Sequence, residues 1–143
     1  MFQGSYPLTL DAKGRLTIPV EVRAQIAEIS GRKLTVTRHY APCLRLYPQP
    51  EWERMLGQLQ DFKAVNEGVR RLVIGSADPV ELDDAGRITV KPILRRAARL
   101  DRRVVLLGDL TRLELWDEDT YLRYMDEQAA GGLPESLNDL QGF

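Results

Sequence analysis

Apolar residues along this chain fall into two rhythms. Leu16 and Ile18 stand two apart, as do Ile88 and Val90, so each pair shares one face of a short strand. Val22, Ile26 and Ile29 recur at helical spacing after Pro19, a residue suited to opening a helix, and Gly31 suits its stop. The pattern predicts strands at 5–10 and 15–18, a helix, then strands at 33–38 and 43–47. The same order returns later: strands at 79–82 and 87–90, a helix opened by Pro92, and strands at 103–107 and 112–116. Between the two series lies a helical linker opened by Pro50. Trp52, Met55, Leu56, Leu59 and Phe62 make one stripe there, and Val65, Val69, Leu72 and Val73 a second. A closing helix over 118–130 would turn Tyr121, Leu122 and Met125 inward. Gly131-Gly132-Leu133-Pro134 ends it, and the last ten residues are expected to be weakly ordered.

The recurrence extends to the residues themselves. Leu10-Asp11-Ala12-Lys13-Gly14-Arg15-Leu16-Thr17-Ile18 aligns with Leu82-Asp83-Asp84-Ala85-Gly86-Arg87-Ile88-Thr89-Val90 at an offset of 72, and Val22-Arg23 aligns with Leu94-Arg95 at the same offset. Leu44-Arg45-Leu46-Tyr47 matches Leu113-Glu114-Leu115-Trp116 at an offset of 69. Two copies of one unit follow, residues 1–76 with the linker and residues 77–133, before a tail at 134–143. Half-units of about 70 residues are each marginal as independent folds, so a shared β-rich core with a pseudo-two-fold axis is the economical arrangement.

The 143 residues are 43% hydrophobic and 29% charged, an ordinary globular balance. No apolar run approaches the roughly 20 residues of a membrane span, and the N-terminus lacks a signal-peptide pattern. One cysteine, Cys43, and one histidine, His39, leave little for a disulfide, a metal site or histidine catalysis. These features point to the cytoplasm, without cofactor, metal, small-molecule substrate or membrane. The net charge of −1 hides an uneven distribution. Residues 84–103 carry seven Lys/Arg against Asp84 and Asp101, whereas residues 117–139 carry seven acids against Arg123. A basic middle is thus masked by an acidic end.

Each copy carries an Asp-x-x-Gly-Arg turn. Gly14 and Gly86 suit the positive-φ position of a short hairpin loop, and Asp11 and Asp83 can accept backbone hydrogen bonds two residues on. Such a loop does not require arginine. Arg15 and Arg87 are therefore either a clamp on the aspartate of their own loop, or a planar fork offered to phosphate or to the O6/N7 edge of guanine. Lys13 adds a donor in the first copy, and Ala85 replaces it in the second. Catalysis by Asp11, Asp83 or Asp84 lacks a nucleophile–base pair, and the spacing is not that of a phosphate-binding loop.

Met1-Phe2-x-Gly4, the stretch from Leu10 to Leu16, Pro19, Leu44-x-Leu46-Tyr47-Pro48 with Trp52, and the second Asp83-x-x-Gly86-Arg87 together resemble the MraZ family, almost end to end. The resemblance implies a double-split (swapped-hairpin) β-barrel of two fused AbrB-type halves with peripheral helices. It further implies a homo-oligomeric ring and binding of double-stranded DNA at tandem promoter repeats of the bacterial division and cell-wall gene cluster, the protein's own gene included. Repression and association with the nucleoid go with that reading. Carried over, the DNA-contacting set is Asp11, Lys13, Gly14 and Arg15 with Asp83, Gly86 and Arg87. Gln3 stands where relatives often have arginine. The alternative is a protein-interaction module of antitoxin-like assembly type without promoter specificity.

Overall fold

The computed structural model describes residues 1–61 and 67–143, so the expectations for Phe62 and Val65 lie outside the described residues. Its elements are β1 (Ser5–Thr9), β2 (Arg15–Thr17), α1 (Val20–Ser30), β3 (Lys33–Arg38), β4 (Leu44–Pro48), α2 (Gln49–Asp61) and α3 (Glu67–Val73). The second series is β5 (Asp78–Glu81), β6 (Arg87–Thr89), α4 (Pro92–Ala97), β7 (Arg103–Asp109), β8 (Arg112–Asp117) and α5 (Glu118–Ala130), followed by a short 3-10 turn at Glu135–Leu137. The β-rich α+β class and the repeated element order agree with the sequence reading.

What periodicity does not show is who pairs with whom. Six strands form one antiparallel sheet in the order β1-β7-β8-β4-β3-β5, and β2 pairs with β6 in a separate ribbon. The order reads the same from either end once each strand is exchanged for its counterpart in the other half. β1 leaves its own half to pair with β7, and β5 leaves its half to pair with β3. The pairing is an open sheet with β1 and β5 at its edges; among the described residues the hydrogen bonds do not close it into a barrel.

The register locates the pseudo-two-fold axis. In the ribbon, Leu16 faces Ile88, with Arg15 opposite Thr89 and Thr17 opposite Arg87. In the sheet, Arg45 faces Glu114, with Leu44 opposite Leu115 and Leu46 opposite Leu113. Both sets are symmetric about their central pair, so the axis passes through Leu16/Ile88 and through Arg45/Glu114. The second pair is an ion pair, Arg45 Nε to Glu114 Oε2 at 3.1 Å, and Trp116 Nε1 donates to the other carboxylate oxygen at 3.1 Å.

The main core lies between sheet and ribbon. Leu16, Ile18, Leu34, Val36, Leu44, Leu46, Leu106, Leu113 and Leu115 are fully buried there, with Val22 and Ile26 from α1 and Leu94 from α4. Ile29 departs from the expected stripe and is exposed in the last turn of α1. A second cluster forms where Trp52 of α2 meets Tyr47 and Val73, with Met55, Leu56, Leu59 and Leu72 against it. On the other half, Tyr121 and Tyr124 of α5 pack on Trp116, with ring centroids 6.0 and 4.9 Å away. Leu122, expected on that face, is exposed instead. The half-buried positions 121, 124 and 125 follow the three-and-four spacing of a single face, and Leu122 lies off it.

Leu16→Ala removes a fully buried side chain on the axis and should cost about 2–5 kcal/mol. Leu122→Ala should stay within about 0.5 kcal/mol of wild type. Urea unfolding midpoints measure both, and equal effects at the two sites would contradict this placement of the core.

Candidate nucleic-acid interface

The two Asp-x-x-Gly-Arg turns are built alike. In the first, Asp11 Oδ1 accepts the backbone N–H of Lys13 at 2.9 Å and of Arg15 at 2.8 Å, while Oδ2 takes Arg15 Nε at 2.6 Å. In the second, Asp83 Oδ1 accepts the N–H of Ala85 and of Arg87, both at 2.9 Å, and Oδ2 takes Arg87 Nε at 3.0 Å. Backbone bonds close both loops: Gly14 N–H to Asp11 O at 3.0 Å, and Gly86 N–H to Asp83 O at 2.9 Å. Gly14 and Gly86 hold φ of 77° and 75°, the left-handed conformation that a side chain disfavours. The bonds from Arg15 and Arg87 hold both aspartates below their ordinary pKa, the backbone N–H contributing most in each case.

The clamp occupies only one edge of each arginine. Nε is committed to the aspartate, and the outer Nη edge has no protein partner among the described residues. Each side chain keeps 35% exposure, enough to meet a ligand. In the ribbon, Leu16 and Ile88 point into the core, so the pleat turns Arg15, Thr17, Arg87 and Thr89 outward together. The two arginines thus share one face, roughly 7 Å apart on a cross-strand diagonal.

Each turn is also tied to the opposite half. Val90 N–H donates to Gly14 O at 2.8 Å, and Ile18 N–H to Gly86 O at 2.9 Å. Arg95 lies over Gly14, where an added Cβ would come within 2.7 Å of its guanidinium carbon. Arg23 covers Gly86 in the same way, 2.6 Å from the guanidinium carbon. Arg95 Nε donates to Val90 O at 2.9 Å, whereas Arg23 Nε is buried without a partner among the described residues. Sequence reasoning aligned Arg23 with Arg95 but gave them no role. Their recurrence at the offset of the turns was the available signal.

The two turns differ electrostatically. The first, Asp11-Ala12-Lys13-Gly14-Arg15, carries one more base than acid. The second replaces Ala12 by Asp84 and Lys13 by Ala85, which reverses the balance. Arg32 Nη1 meets Asp84 at 2.7 Å and offsets part of that charge. Grooves flank both turns. Arg95 and Arg102 line the groove beside Asp11, and Arg23 and Arg32 the one beside Asp83.

Away from the turns, His39, Cys43 and Glu114 bring potential ligand atoms within 4.8 Å of one another. Both Glu114 oxygens are already engaged by Arg45 and Trp116, and burial pushes the Cys43 thiol up to about 12. His39 is lowered chiefly by burial, with Arg45 adding to it. Arg45 and Trp116 thus hold Glu114 in place, with Cys43 buried beside it. Among the described residues, no helix is long and apolar enough to cross a membrane.

The family described as "MraZ protein, putative antitoxin-like" matches the chain twice, over residues 1–72 and 73–139. A protein of Bordetella pertussis named "Transcriptional regulator MraZ" is 43% identical over 138 residues, covering 96% of this chain and 97% of its own length. Proteins of the same name from Burkholderia vietnamiensis and Ralstonia nicotianae are each 42% identical over 139 residues, covering 97% of this chain and 98% of theirs.

A depressed carboxylate pKa lends stability that is present above the unfolded value, near 3.8, and lost as the pH falls through the lower folded value. Wild type should therefore melt higher than Asp11→Asn/Asp83→Asn at pH 7, and the gap should narrow below about pH 4. Thermal melts from pH 7 to pH 2.5 measure it. An unchanged gap across that range would separate the aspartates' structural role from their charge.

Proposed function

The chain belongs to the MraZ family, and from that premise we propose that it is a transcription regulator that binds double-stranded DNA through the β2–β6 ribbon. The observation that carries this reading is the placement of Arg15 and Arg87. Both stand on the outward face of one two-stranded ribbon, each with an Nη edge that has no partner among the described residues. A two-stranded ribbon fits the major groove of B-DNA, about 12 Å wide. An arginine held at Nε still presents two parallel donors end-on, which is the geometry that guanine O6 and N7 accept.

In this reading Arg15 and Arg87 make the principal contacts, and Asp11 and Asp83 fix each fork before DNA arrives, so little rotamer entropy is lost on binding. Gly14 and Gly86 allow the turns, and Lys13 supports the first through a phosphate. The excess acid of the second turn makes the two contacts unequal. The sheet, the ribbon and the exchanged β1 and β5 are read as a double-split barrel of two AbrB-type repeats.

One subunit offers few cations, so several must act together. A homo-oligomeric ring would present many ribbons to one stretch of DNA, and effective concentration would let weak sites add. Tandem repeats in the promoter of the division and cell-wall gene cluster, upstream of the chain's own gene, are the matching target, and repression is the expected action. Work on DNA in a bacterial cell would place the protein in the cytoplasm, at the nucleoid.

Fluorescence anisotropy with DNA from upstream of the gene and a scrambled duplex, at several salt concentrations, tests the proposal. Wild type should prefer the upstream DNA. Arg15→Ala should cost roughly 1–3 kcal/mol and blur that preference. Arg15→Lys should keep the salt dependence and lose the discrimination, because it retains charge without the fork. No preference in wild type, or binding unaffected by Arg15→Ala/Arg87→Ala, would leave the turns as clamps and favour a protein-interaction module.

A further inference from the structure

The pseudo-two-fold relation shows one place where the halves have diverged. α2 and α5 follow β4 and β8 at an offset of 69, which sets Trp52 over Tyr121 and Glu51-x-x-Arg54 over Thr120-x-x-Arg123. The packing supports the alignment, since Trp52 lies against Tyr47 and Tyr121 against Trp116, with ring centroids 5.4 and 6.0 Å apart. In the first half the arginine is paired. Arg54 binds Glu51 through Nε at 2.9 Å and Nη2 at 2.5 Å. Thr111, from the β7–β8 hairpin of the other half, donates to the same carboxylate at 3.1 Å.

In the second half the position of Glu51 holds no carboxylate, and the residue there donates its hydroxyl to Asp117 Oδ2 at 3.5 Å. Thr120 stands in place of Glu51, and Arg123 has no ion-pair partner among the described residues. The hairpin facing it, between β3 and β4, brings Arg38 and His39, and the end of α4 brings Arg99. Together they line a cleft of about 370 Å³ floored by Ala98 and Cys43, with no carboxylate in its wall. Arg38 and Arg99 are also unpaired among the described residues. Glu114, behind the floor, has both oxygens engaged.

Arg99 sits at φ 53°, the left-handed backbone of the turn that ends α4, closed by Arg99 N–H to Arg96 O at 3.1 Å and Leu100 N–H to Arg95 O at 2.9 Å. That turn sets its side chain in the wall of the cleft with Arg38 and Arg123.

We propose that this cleft binds a phosphate group, with the guanidiniums of Arg38, Arg99 and Arg123 as its charged donors. The site lies outside the Asp-x-x-Gly-Arg turns and stands independently of what they bind. The phosphate belongs either to a small phosphorylated compound or to a DNA backbone.

Thermal melts of the full chain with sodium pyrophosphate, against sodium chloride at matched ionic strength, test the site. Pyrophosphate at tenfold its Kd should raise the wild-type Tm by roughly 3–6 °C. Arg123→Gln should lose that rise. Arg99→Gly should lose it as well, while melting at or above wild type without the anion, because glycine suits the left-handed backbone there. A parallel titration with scrambled duplex separates the sources. A rise in Tm with unchanged duplex affinity in the variants assigns a free phosphate compound. A fivefold or greater loss of duplex affinity in Arg99→Gly and Arg123→Gln, without a pyrophosphate response in wild type, assigns DNA. Variants that match wild type in both assays, or a chloride control that raises Tm equally, would overturn the proposal.

Discussion

Everything in this molecule depends on the exchange of β1 and β5 across the pseudo-two-fold axis. β1 finds its partner in β7 and β5 finds its partner in β3, so neither half can complete a sheet from its own strands. The ribbon is likewise shared, one strand from each half, with Leu16 against Ile88 at its centre. Burial of those two side chains settles the pleat, and the pleat turns Arg15 and Arg87 outward on one face. Each turn is then braced from the far side, by Arg95 over Gly14 and Arg23 over Gly86. Two sites that lie 72 residues apart in the chain become one surface because the core cannot form otherwise.

Fusing two copies into one chain frees the axis from strict symmetry. At the centre of the sheet one half supplies Arg45 and the other Glu114, and they pair. Identical subunits would bring two like charges together at that position. The same freedom separates the turns, where Lys13 and Ala12 give way to Ala85 and Asp84. It also separates the flanks, where a closed Glu51–Arg54 pair corresponds to an open, arginine-lined cleft. Symmetry explains the frame, and departures from it mark where the halves differ in charge and contacts.

The local structure was largely legible in the sequence. Alternation at Leu16/Ile18 and Ile88/Val90, the prolines before α1 and at the start of α4, and the Asp and Gly of each turn have local causes: pleat, fixed φ, side-chain acceptors and left-handed backbone. The pairing partners were not legible, because period two identifies a buried face and says nothing of what lies beside the strand. The same limit hid Arg23 and Arg95, whose significance lies in contacts with the opposite half. Ile29 and Leu122 fit an apolar pattern and remain exposed, since a pattern specifies which residues can be buried and the packing decides which are. The clamp and contact readings of Arg15 both rest on local chemistry; the clamp takes Nε and leaves the Nη edge without a partner among the described residues, so the two readings do not exclude one another.

The central claim is that the outward face of the β2–β6 ribbon meets DNA. Site-specific photocrosslinking tests it most directly, with a benzophenone side chain placed singly at Thr17, at Thr89, and at the exposed Gln58 of α2 as control. With upstream duplex in excess, crosslinks from positions 17 and 89 and none from 58 are predicted. Crosslinks from position 58 without any from the ribbon would contradict the account and move the DNA to the α2 side of the molecule.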